Sequence, residues 1–326
     1  MSFRKPATGS YVERFLNQSG RKPSSTDMKH ITAKDKTTGE DIKISYKDYG
    51  SGKPIVLIHG WPLSKHMWEY QLEPLVDAGF RVIKYDRRGF GQSDKPWSGY
   101  DYDTLTDDLA ALLEQLDLTD VTLVGFSMGG GEAVRYLSRY GSNRVSQLVL
   151  ISAVTPYMLK SDANPDGVDG DVFAKMIEGM NKDRIGFLDD FGKQFFGINL
   201  LNHPVSAPLL EYYRDIAADA SPRASKLCVA SFAYTDFRAD IQGVNVPTLI
   251  IHGDNDKTVP KEASGDRVAK MIPTAQYLVY EGAPHGLFYT HKDALNRDLI
   301  AFAQTGKAYH YAHSADGKAQ MNNEEL

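Results

Sequence analysis

The chain of 326 residues lacks several features that would assign it to particular classes of protein. Its one cysteine, Cys228, excludes an internal disulfide, and the apolar residues around it predict a buried thiol. No apolar run approaches the roughly 20 residues that span a bilayer, so we expect no membrane segment. The formal net charge of −5 gives no reason to expect nucleic-acid binding.

The patterns that would indicate a cofactor, a metal or secretion are missing as well. No G-x-G-x-x-G follows the first buried strand, so no dinucleotide site is expected. The ligand spacings typical of zinc do not occur; His310 and His313 are expected to be inert in a mobile tail. We therefore predict that the protein uses no cofactor and no metal. The first residues lack the apolar core of a secretion signal, so a cytoplasmic protein is expected.

What the chain does contain is an alternation of strand-like and helix-like stretches. Its 42% hydrophobic and 24% charged residues are ordinary for a globular enzyme. Strands are predicted over residues 30–34, 41–46, 54–58, 80–85, 121–126, 145–152, 247–251 and 275–280. Helices are predicted over residues 67–78, 104–116, 131–137, 261–271 and 292–303. This order predicts an α/β fold with a mostly parallel central sheet flanked by helices.

The alternation is interrupted once, and both ends of the chain depart from it. Residues 155–236 are helical and rich in aromatic side chains, which predicts an inserted helical cap. Such a cap would cover the carboxyl edge of the sheet, where α/β proteins bind ligands. Residues 29–154 and 237–304 would form the core. Residues 1–28 are predicted to be a polar N-terminal arm, and residues 305–326 a polar C-terminal tail.

The most informative motif is G-x-S-x-G at residues 125–129, with Ser127 at its centre. A buried strand pattern precedes the motif and a helix pattern follows it. In that context a sharp turn lifts the serine out of the strand under backbone strain. The flanking glycines allow the chain to approach itself closely. Ser127 is therefore predicted to be a nucleophile.

A serine hydroxyl is a weak nucleophile at neutral pH, so Ser127 needs a base, and the base needs an orienting carboxylate. In this kind of site the acid and then the histidine follow the serine along the chain. His285 lies in a loop after a late strand and is predicted to be the base. Two residues compete for the role of acid. Asp254 could cap its own turn, whereas Asp256 lies further along the loop.

An oxyanion hole should come from backbone N–H groups. We predict one from Met128, because free N–H groups at the start of a helix favour negative charge. The other is predicted from Trp61 in the loop after an earlier strand, and its ring could also form a wall of the acyl pocket. Removing one such donor would cost roughly 3 kcal/mol of transition-state stabilisation. His59 is interpreted as a structural residue that holds this loop.

A charged run at residues 85–89 allows two interpretations. Asp86, Arg87 and Arg88 could clamp a phosphate or a substrate, or they could pair with one another and fix the loop after a strand. We favour the second interpretation.

Together these motifs resemble the cofactor-free haloperoxidase/perhydrolase group of the α/β-hydrolase family, which is related to aryl esterases. The resemblance extends over about residues 42–302, and its motifs are HGWPLS at 59–64, YDRRGFGQS at 85–93, GYDYD at 99–103, GFSMG at 125–129, YTDFRADI at 234–241 and GAPHG at 282–286. It implies that Ser127, Asp256 and His285 are nucleophile, acid and base. It also implies that Trp61 and Met128 are the oxyanion donors.

The resemblance implies a serine esterase whose acyl-enzyme is attacked by water or by hydrogen peroxide. Peroxide would yield a peracid, which can oxidise halide without haem or metal. The expected partners are a small-molecule ester and hydrogen peroxide, and because relatives often associate, a homo-oligomer is expected. The aromatic cap favours small acyl groups and apolar alcohols or phenols. Two alternatives remain: amide or lactam cleavage by the same residues, and a non-hydrolytic oxygenase or ligand receptor on the same fold.

Overall fold

The computed structural model describes residues 29–312 and 319–321. The predicted arm over residues 1–28 and His313 lie outside the described residues. Within them the strands are β1 Lys29–Lys34, β2 Asp41–Gly50, β3 Pro54–Ile58, β4 Arg81–Tyr85, β5 Val121–Phe126, β6 Val145–Ile151, β7 Thr248–Gly253, β8 Gln276–Tyr280 and β9 Ala319–Met321. They form one sheet in the order β1-β2-β4-β3-β5-β6-β7-β8-β9.

The sheet is mostly parallel, as predicted. The β1–β2 and β2–β4 pairs are antiparallel, and all the remaining neighbouring pairs are parallel. The helices of the described residues are a 3₁₀ helix Lys65–Trp68 and α1 Glu69–Asp77, α2 Tyr102–Gln115, α3 Met128–Tyr140, α4 Gly170–Phe195, α5 Ala207–Ala218, α6 Pro222–Tyr234, α7 Arg238–Gln242, α8 Gly265–Met271, α9 Leu287–Thr290, α10 Lys292–Thr305 and α11 Tyr309–Ala312. Within residues 29–312, no helix combines the length and apolar character needed to cross a bilayer.

Local sequence explains where the helices lie. In α2, Leu105, Leu109 and Leu112 share one buried face. The side chain of Asp101 accepts a hydrogen bond from the backbone N–H of Thr104, which caps the first turn. The helix therefore begins two residues before its predicted start at residue 104. The other predicted helices and strands are also present, and their observed ends differ from the predicted ones by a few residues.

The core lies on both faces of the sheet. All six residues of β5 are buried, as expected for a central parallel strand. Leu123 belongs to the apolar cluster on one face, and its neighbour Val124 belongs to the cluster on the other. Burying each such side chain contributes about 1.5–3 kcal/mol, so the strand that ends at Ser127 is firmly anchored. Cys228 is also fully buried, and burial raises the pKa of its thiol to about 12.

Between β6 and β7 the chain forms α4, α5, α6 and the short helix α7, and α4 packs against both α5 and α6. The helix α4 is interrupted at Asp183, whose φ of −154° and ψ of 96° are not helical. Of these helices, α4 and α6 contribute residues to the wall of the cavity that contains Ser127. The division into a core and a cap stays a prediction.

The described part of the C-terminal tail differs from the expected mobile segment. His310 is buried, and its Nδ1 lies 2.8 Å from Oδ2 of Asp298 on α10. Its backbone N–H also donates to Oδ1 of the same carboxylate at 2.9 Å. The expectation for His310 is therefore corrected: two hydrogen bonds to a buried carboxylate hold it against the domain.

Candidate active site

Ser127 lies at the sharp turn between β5 and α3. Its φ of 53° and ψ of −118° are strained for a residue with a side chain. A Cβ on Gly125 would come within 2.6 Å of the Gly129 carbonyl oxygen, so only glycine fits there. The close crossing of the chain thus explains the glycine in the motif and presents the hydroxyl of Ser127 at the carboxyl edge of the sheet.

Two other loops at this edge bring an imidazole and a carboxylate to the serine. His285 follows β8, and its Nε2 lies 3.0 Å from Oγ of Ser127. Asp256 follows β7, and its Oδ2 lies 2.6 Å from Nδ1 of His285. All three side chains are buried, with exposed fractions of 5% for Ser127, 1% for His285 and 4% for Asp256. This is the arrangement needed for a base that is oriented by an acid and can activate a serine.

Backbone and side-chain donors surround the carboxylate of Asp256. Its Oδ1 accepts hydrogen bonds from the backbone N–H groups of Thr258 and Val259, at 2.9 Å and 2.8 Å. Burial by itself would raise the pKa of Asp256, but the charge of His285 and the hydrogen bonds of His285 and His252 lower it well below its usual value. The carboxylate is therefore ionised at neutral pH and keeps the Nδ1 proton of His285 in place.

Asp254 has a different position from Asp256. It is exposed, and its Oδ1 accepts a hydrogen bond from the backbone N–H of Gly282 at 2.7 Å. The bond connects the loop after β7 to the loop that carries His285. Of the two competing aspartates, the structure brings only Asp256 to the imidazole. Asp254 caps a neighbouring loop rather than its own turn.

The loop after β3 lies directly beside the serine. A Cβ on Gly60 would lie 3.1 Å from Cβ of Ser127 and would overlap the Phe126 ring, so the backbone passes close to the nucleophile. Trp61 follows Gly60 and lines the same cavity as Ser127. Met128 is the first residue of α3, with its backbone N–H at the positive end of the helix dipole. The two predicted oxyanion donors thus come from segments on either side of Ser127.

The Trp61 ring is buried and has defined partners. Its Nε1 donates a hydrogen bond to the carbonyl of Ser225 on α6 at 3.0 Å. Its ring contacts Phe191 and Phe232 edge-on, with centroid separations of 5.2 Å and 5.8 Å. The ring is therefore both a core aromatic and part of the cavity wall.

The cavity above the serine has a volume of about 650 Å³. Its wall combines Trp61 and Ser127 with side chains from the helices between β6 and β7. Phe187 and Phe191 line it, whereas Phe195 packs edge-on against the His285 ring with a centroid separation of 4.9 Å. Apolar and aromatic residues dominate the wall: Val154, Met158, Val168, Val172, Phe173, Met176 and Phe232.

The charged loop after β4 is not a clamp for a ligand, and its charges do not pair with one another. Lys65 and Asp86 form a buried ion pair. Nε of Arg87 donates to Oε1 of Glu132 on α3 at 2.5 Å. The preferred interpretation is therefore wrong about the partners: each charge is paired with a residue from another element. Arg88 likewise pairs with Asp108 and Asp35.

Reasoning from the sequence missed one histidine beside the acid. His252 is buried at the end of β7, and its Nε2 lies 2.8 Å from the Val259 carbonyl and 3.5 Å from Oδ2 of Asp256. The only signal was its place in the strand that precedes Asp256. Among the described residues, no cluster of three or more His, Cys, Asp or Glu side chains could hold a metal ion.

The sheet topology and the Ser–His–Asp geometry define an α/β-hydrolase with a serine-centred site, and comparisons with known proteins agree on the family. Residues 53–292 match the family described as alpha/beta hydrolase fold. A non-heme chloroperoxidase from Kitasatospora aureofaciens is 45% identical over 268 residues, which cover 82% of this chain and 98% of that protein. A bifunctional esterase/perhydrolase from Acinetobacter calcoaceticus is 37% identical over 272 residues, covering 82% of this chain and 99% of the relative.

Among solved structures, a bromoperoxidase from Bacillus anthracis superimposes with a TM-score of 0.81 at 49% sequence identity. The match covers 85% of this chain and 100% of the bromoperoxidase. The chain therefore belongs to the α/β-hydrolase family. The resemblance to its haloperoxidase and perhydrolase group, inferred from sequence motifs, is confirmed by these relatives.

Proposed function

We propose that the protein is a serine hydrolase that cleaves carboxylic esters through an acyl-enzyme, with cofactor-free perhydrolase and haloperoxidase side activity. The observation that carries this proposal is the buried chain of contacts from Ser127 Oγ to His285 Nε2 and from His285 Nδ1 to Asp256 Oδ2. The similarity to an esterase/perhydrolase and to non-heme haloperoxidases supports it.

In the proposed acylation step, Oγ of Ser127 attacks the ester carbonyl while Nε2 of His285 takes its proton. The backbone N–H groups of Trp61 and Met128 would donate hydrogen bonds to the oxyanion that forms. The imidazolium then protonates the leaving alcohol, and the acyl group remains on Ser127. Asp256 stabilises the charge on the imidazolium and keeps its own negative charge throughout.

Deacylation uses the same groups in reverse. Water attacks the acyl carbonyl, gives its proton to Nε2, and releases a carboxylic acid and free Ser127. With hydrogen peroxide in place of water, the product is a peracid. In solution the peracid transfers one oxygen atom to a halide ion, which yields hypohalite and the carboxylic acid.

The size and the apolar lining of the cavity suit an ester with substantial apolar groups. At about 650 Å³ it lies within the usual range of small-molecule sites, and most of its lining side chains are aliphatic or aromatic. We propose aryl or alkyl esters as substrates. A cytoplasmic location and a homo-oligomer stay predictions from the sequence and the resemblance.

The decisive experiment compares the wild type with Ser127→Ala on short-chain aryl esters, with and without hydrogen peroxide. We expect the wild type to hydrolyse the ester, to form peracid when peroxide is present, and to react with a fluorophosphonate probe at Ser127. The variant should lose all three activities. An oxygenase that uses only the His–Asp pair would retain its activity in the variant, and that result would contradict the proposal. Turnover of matched aryl amides at a higher rate than esters would favour an amidase instead.

A further inference from the structure

The orientation of the Trp61 N–H is set by the peptide that contains it. The Gly60–Trp61 peptide is trans, so its N–H and its C=O lie in one plane and point in opposite directions. Two groups contact that carbonyl oxygen: the backbone N–H of Leu63 at 3.0 Å and Nδ1 of His59 at 2.9 Å. Whatever fixes the carbonyl therefore fixes the direction of the Trp61 N–H.

The surroundings of His59 define which of its nitrogens carries the proton. The backbone N–H of Arg87 lies 3.0 Å from Nε2 and can only donate, so Nε2 must be the acceptor. A neutral ring then carries its proton on Nδ1, which donates to the Gly60 carbonyl. The guanidinium of Arg87 also approaches Nδ1, but at 3.4 Å, and a neutral ring cannot accept at both nitrogens. The shorter contact with the carbonyl decides the assignment.

The same arginine secures the backbone of the loop and links it to the nucleophile helix. Nη2 of Arg87 donates to the carbonyl of His59 at 2.7 Å, while Nε donates to Glu132 on α3. Tyr85 donates to the other carboxylate oxygen of Glu132 at 2.8 Å. Both sides of the predicted oxyanion hole are thus connected through one fully buried ion pair.

The imidazole of His59 is held neutral by the same environment. Burial, together with the positive charge of Arg87, lowers its pKa well below the usual value. The ring therefore does not titrate in the physiological range, and its Nδ1 proton remains available to the Gly60 carbonyl.

We propose that His59 is a positioning residue of the oxyanion hole: its neutral Nδ1–H tautomer, set by Arg87, holds the Gly60–Trp61 peptide so that the Trp61 N–H points at the developing oxyanion. This inference rests on the proposed function, since an oxyanion forms only if Ser127 attacks a carbonyl. It assigns to His59 a role in transition-state stabilisation beyond holding its loop.

The test compares His59→Leu, which removes the Nδ1 donor, with His59→Asn, which retains an N–H donor near the same position. We expect His59→Leu to lower kcat for an aryl ester by about 10- to 100-fold with KM nearly unchanged, because only the transition state carries the oxyanion. Inhibition by phenylboronic acid, which forms a tetrahedral adduct on the serine, should weaken by a similar factor. His59→Asn should recover most of both losses.

The matched control is His310→Leu, which removes another buried, hydrogen-bonded histidine that does not line the cavity. It should lower the thermal midpoint without changing kcat or boronate affinity. If His59→Leu behaves like this control, the role of His59 is structural and the proposal is overturned. Equal losses in folded His59→Asn and His59→Leu would also overturn it, since the donor would then be irrelevant.

A measurement on the wild type does not depend on how the variants fold. Long-range ¹H–¹⁵N NMR of the imidazoles should find His59 neutral, with the proton on Nδ1, between about pH 5 and pH 8. A proton on Nε2 would overturn the proposal. If the wild type neither hydrolyses esters nor reacts with the fluorophosphonate probe, it is the proposed function that fails. Normal turnover through Ser127 with the wrong tautomer would refute only the role of His59.

Discussion

In the described part of the chain, His285 and His310 each place Nδ1 within hydrogen-bond distance of a buried aspartate carboxylate. Nδ1 of His285 lies 2.6 Å from Asp256, and Nδ1 of His310 lies 2.8 Å from Asp298. Among the described residues, only His285 has a serine next to its Nε2, at 3.0 Å, and that serine lines a cavity of about 650 Å³. A histidine–carboxylate pair is therefore not a catalytic site by itself, and its role depends on what the second nitrogen faces.

The two carboxylates also differ in their remaining partners. Asp256 accepts two backbone N–H groups from its own loop, which hold it at the end of β7. Asp298 accepts the backbone N–H of His310 and the hydroxyl of Tyr280, the latter at 2.6 Å. The first set of contacts holds the carboxylate that contacts His285. The second attaches the described C-terminal helix α11 to α10 and β8.

The largest expected effect separates the two histidines by activity. His285→Ala should reduce kcat for an aryl ester by about 10⁴- to 10⁶-fold, because Ser127 loses its base. His310→Ala should leave kcat within about twofold and lower the unfolding free energy by about 1–3 kcal/mol, because it leaves a buried carboxylate short of a partner. Steady-state kinetics and urea unfolding check both. A large loss of kcat in folded His310→Ala would break the comparison.

Substitution of the two carboxylates should show the same contrast, with a loss of kcat for Asp256 and a loss of stability for Asp298. Asp256→Asn should reduce kcat by about 10⁴-fold with little change in KM, because the amide favours the wrong tautomer of His285. Asp298→Asn is the matched control and should change stability rather than turnover. Equal kcat values for the two variants would contradict the assignment of Asp256 as the acid.

The strands and the loops around Ser127 and His285 could be predicted from the sequence, because local patterns of residues indicate them. Alternating apolar segments predicted the strands, and the order of Ser127 and His285 at loops after strands predicted their roles as nucleophile and base. The choice of Asp256 over Asp254 required the family resemblance, since a loop of a few residues can direct either carboxylate to the imidazole. In the structure it is Asp256 that contacts His285, at 2.6 Å.

What could not be predicted depends on long-range contacts. Arg87 and Arg88 are adjacent, yet one reaches Glu132 on α3 and the other reaches Asp108 on α2. No periodicity encodes these directions, because both residues lie in the loop after β4, beyond the regular alternation of the strand. The contact of His310 with Asp298 was not predicted for the same reason. A polar segment looks mobile from its sequence when the buried residue that it contacts is distant in the chain.

A smaller effect should come from an aromatic ring that packs against the imidazole of His285. Phe195 packs edge-on against His285 with a centroid separation of 4.9 Å, so we expect it to help hold the imidazole in position. Phe195→Leu should lower kcat by about tenfold, since small misplacements of a catalytic group are costly. Stopped-flow acylation rates check this prediction. Unchanged rates in the variant would show that the ring contributes packing alone.

The smallest expected effect concerns stability in acid. The pKa of Asp256 is lower in the folded protein than the value of about 3.9 in an unfolded chain, so its ionised form stabilises the fold above that pH. This contribution is lost as the pH falls from about 4 toward the folded-state pKa. Asp256→Asn should therefore lose less stability than the wild type over this interval, as measured by urea unfolding. Parallel pH profiles for the two proteins would contradict the depressed pKa.

The central claim is that the substrate acyl group is transferred to Ser127. Rapid acid quench of the wild type with a p-nitrophenyl ester, followed by peptide mass spectrometry, tests it most directly. We expect the acyl mass on the peptide that contains Ser127 within the first turnover, and no such adduct in His285→Ala over the same time. Full ester turnover without an adduct on that peptide, or with the acyl group on another residue, would contradict the account.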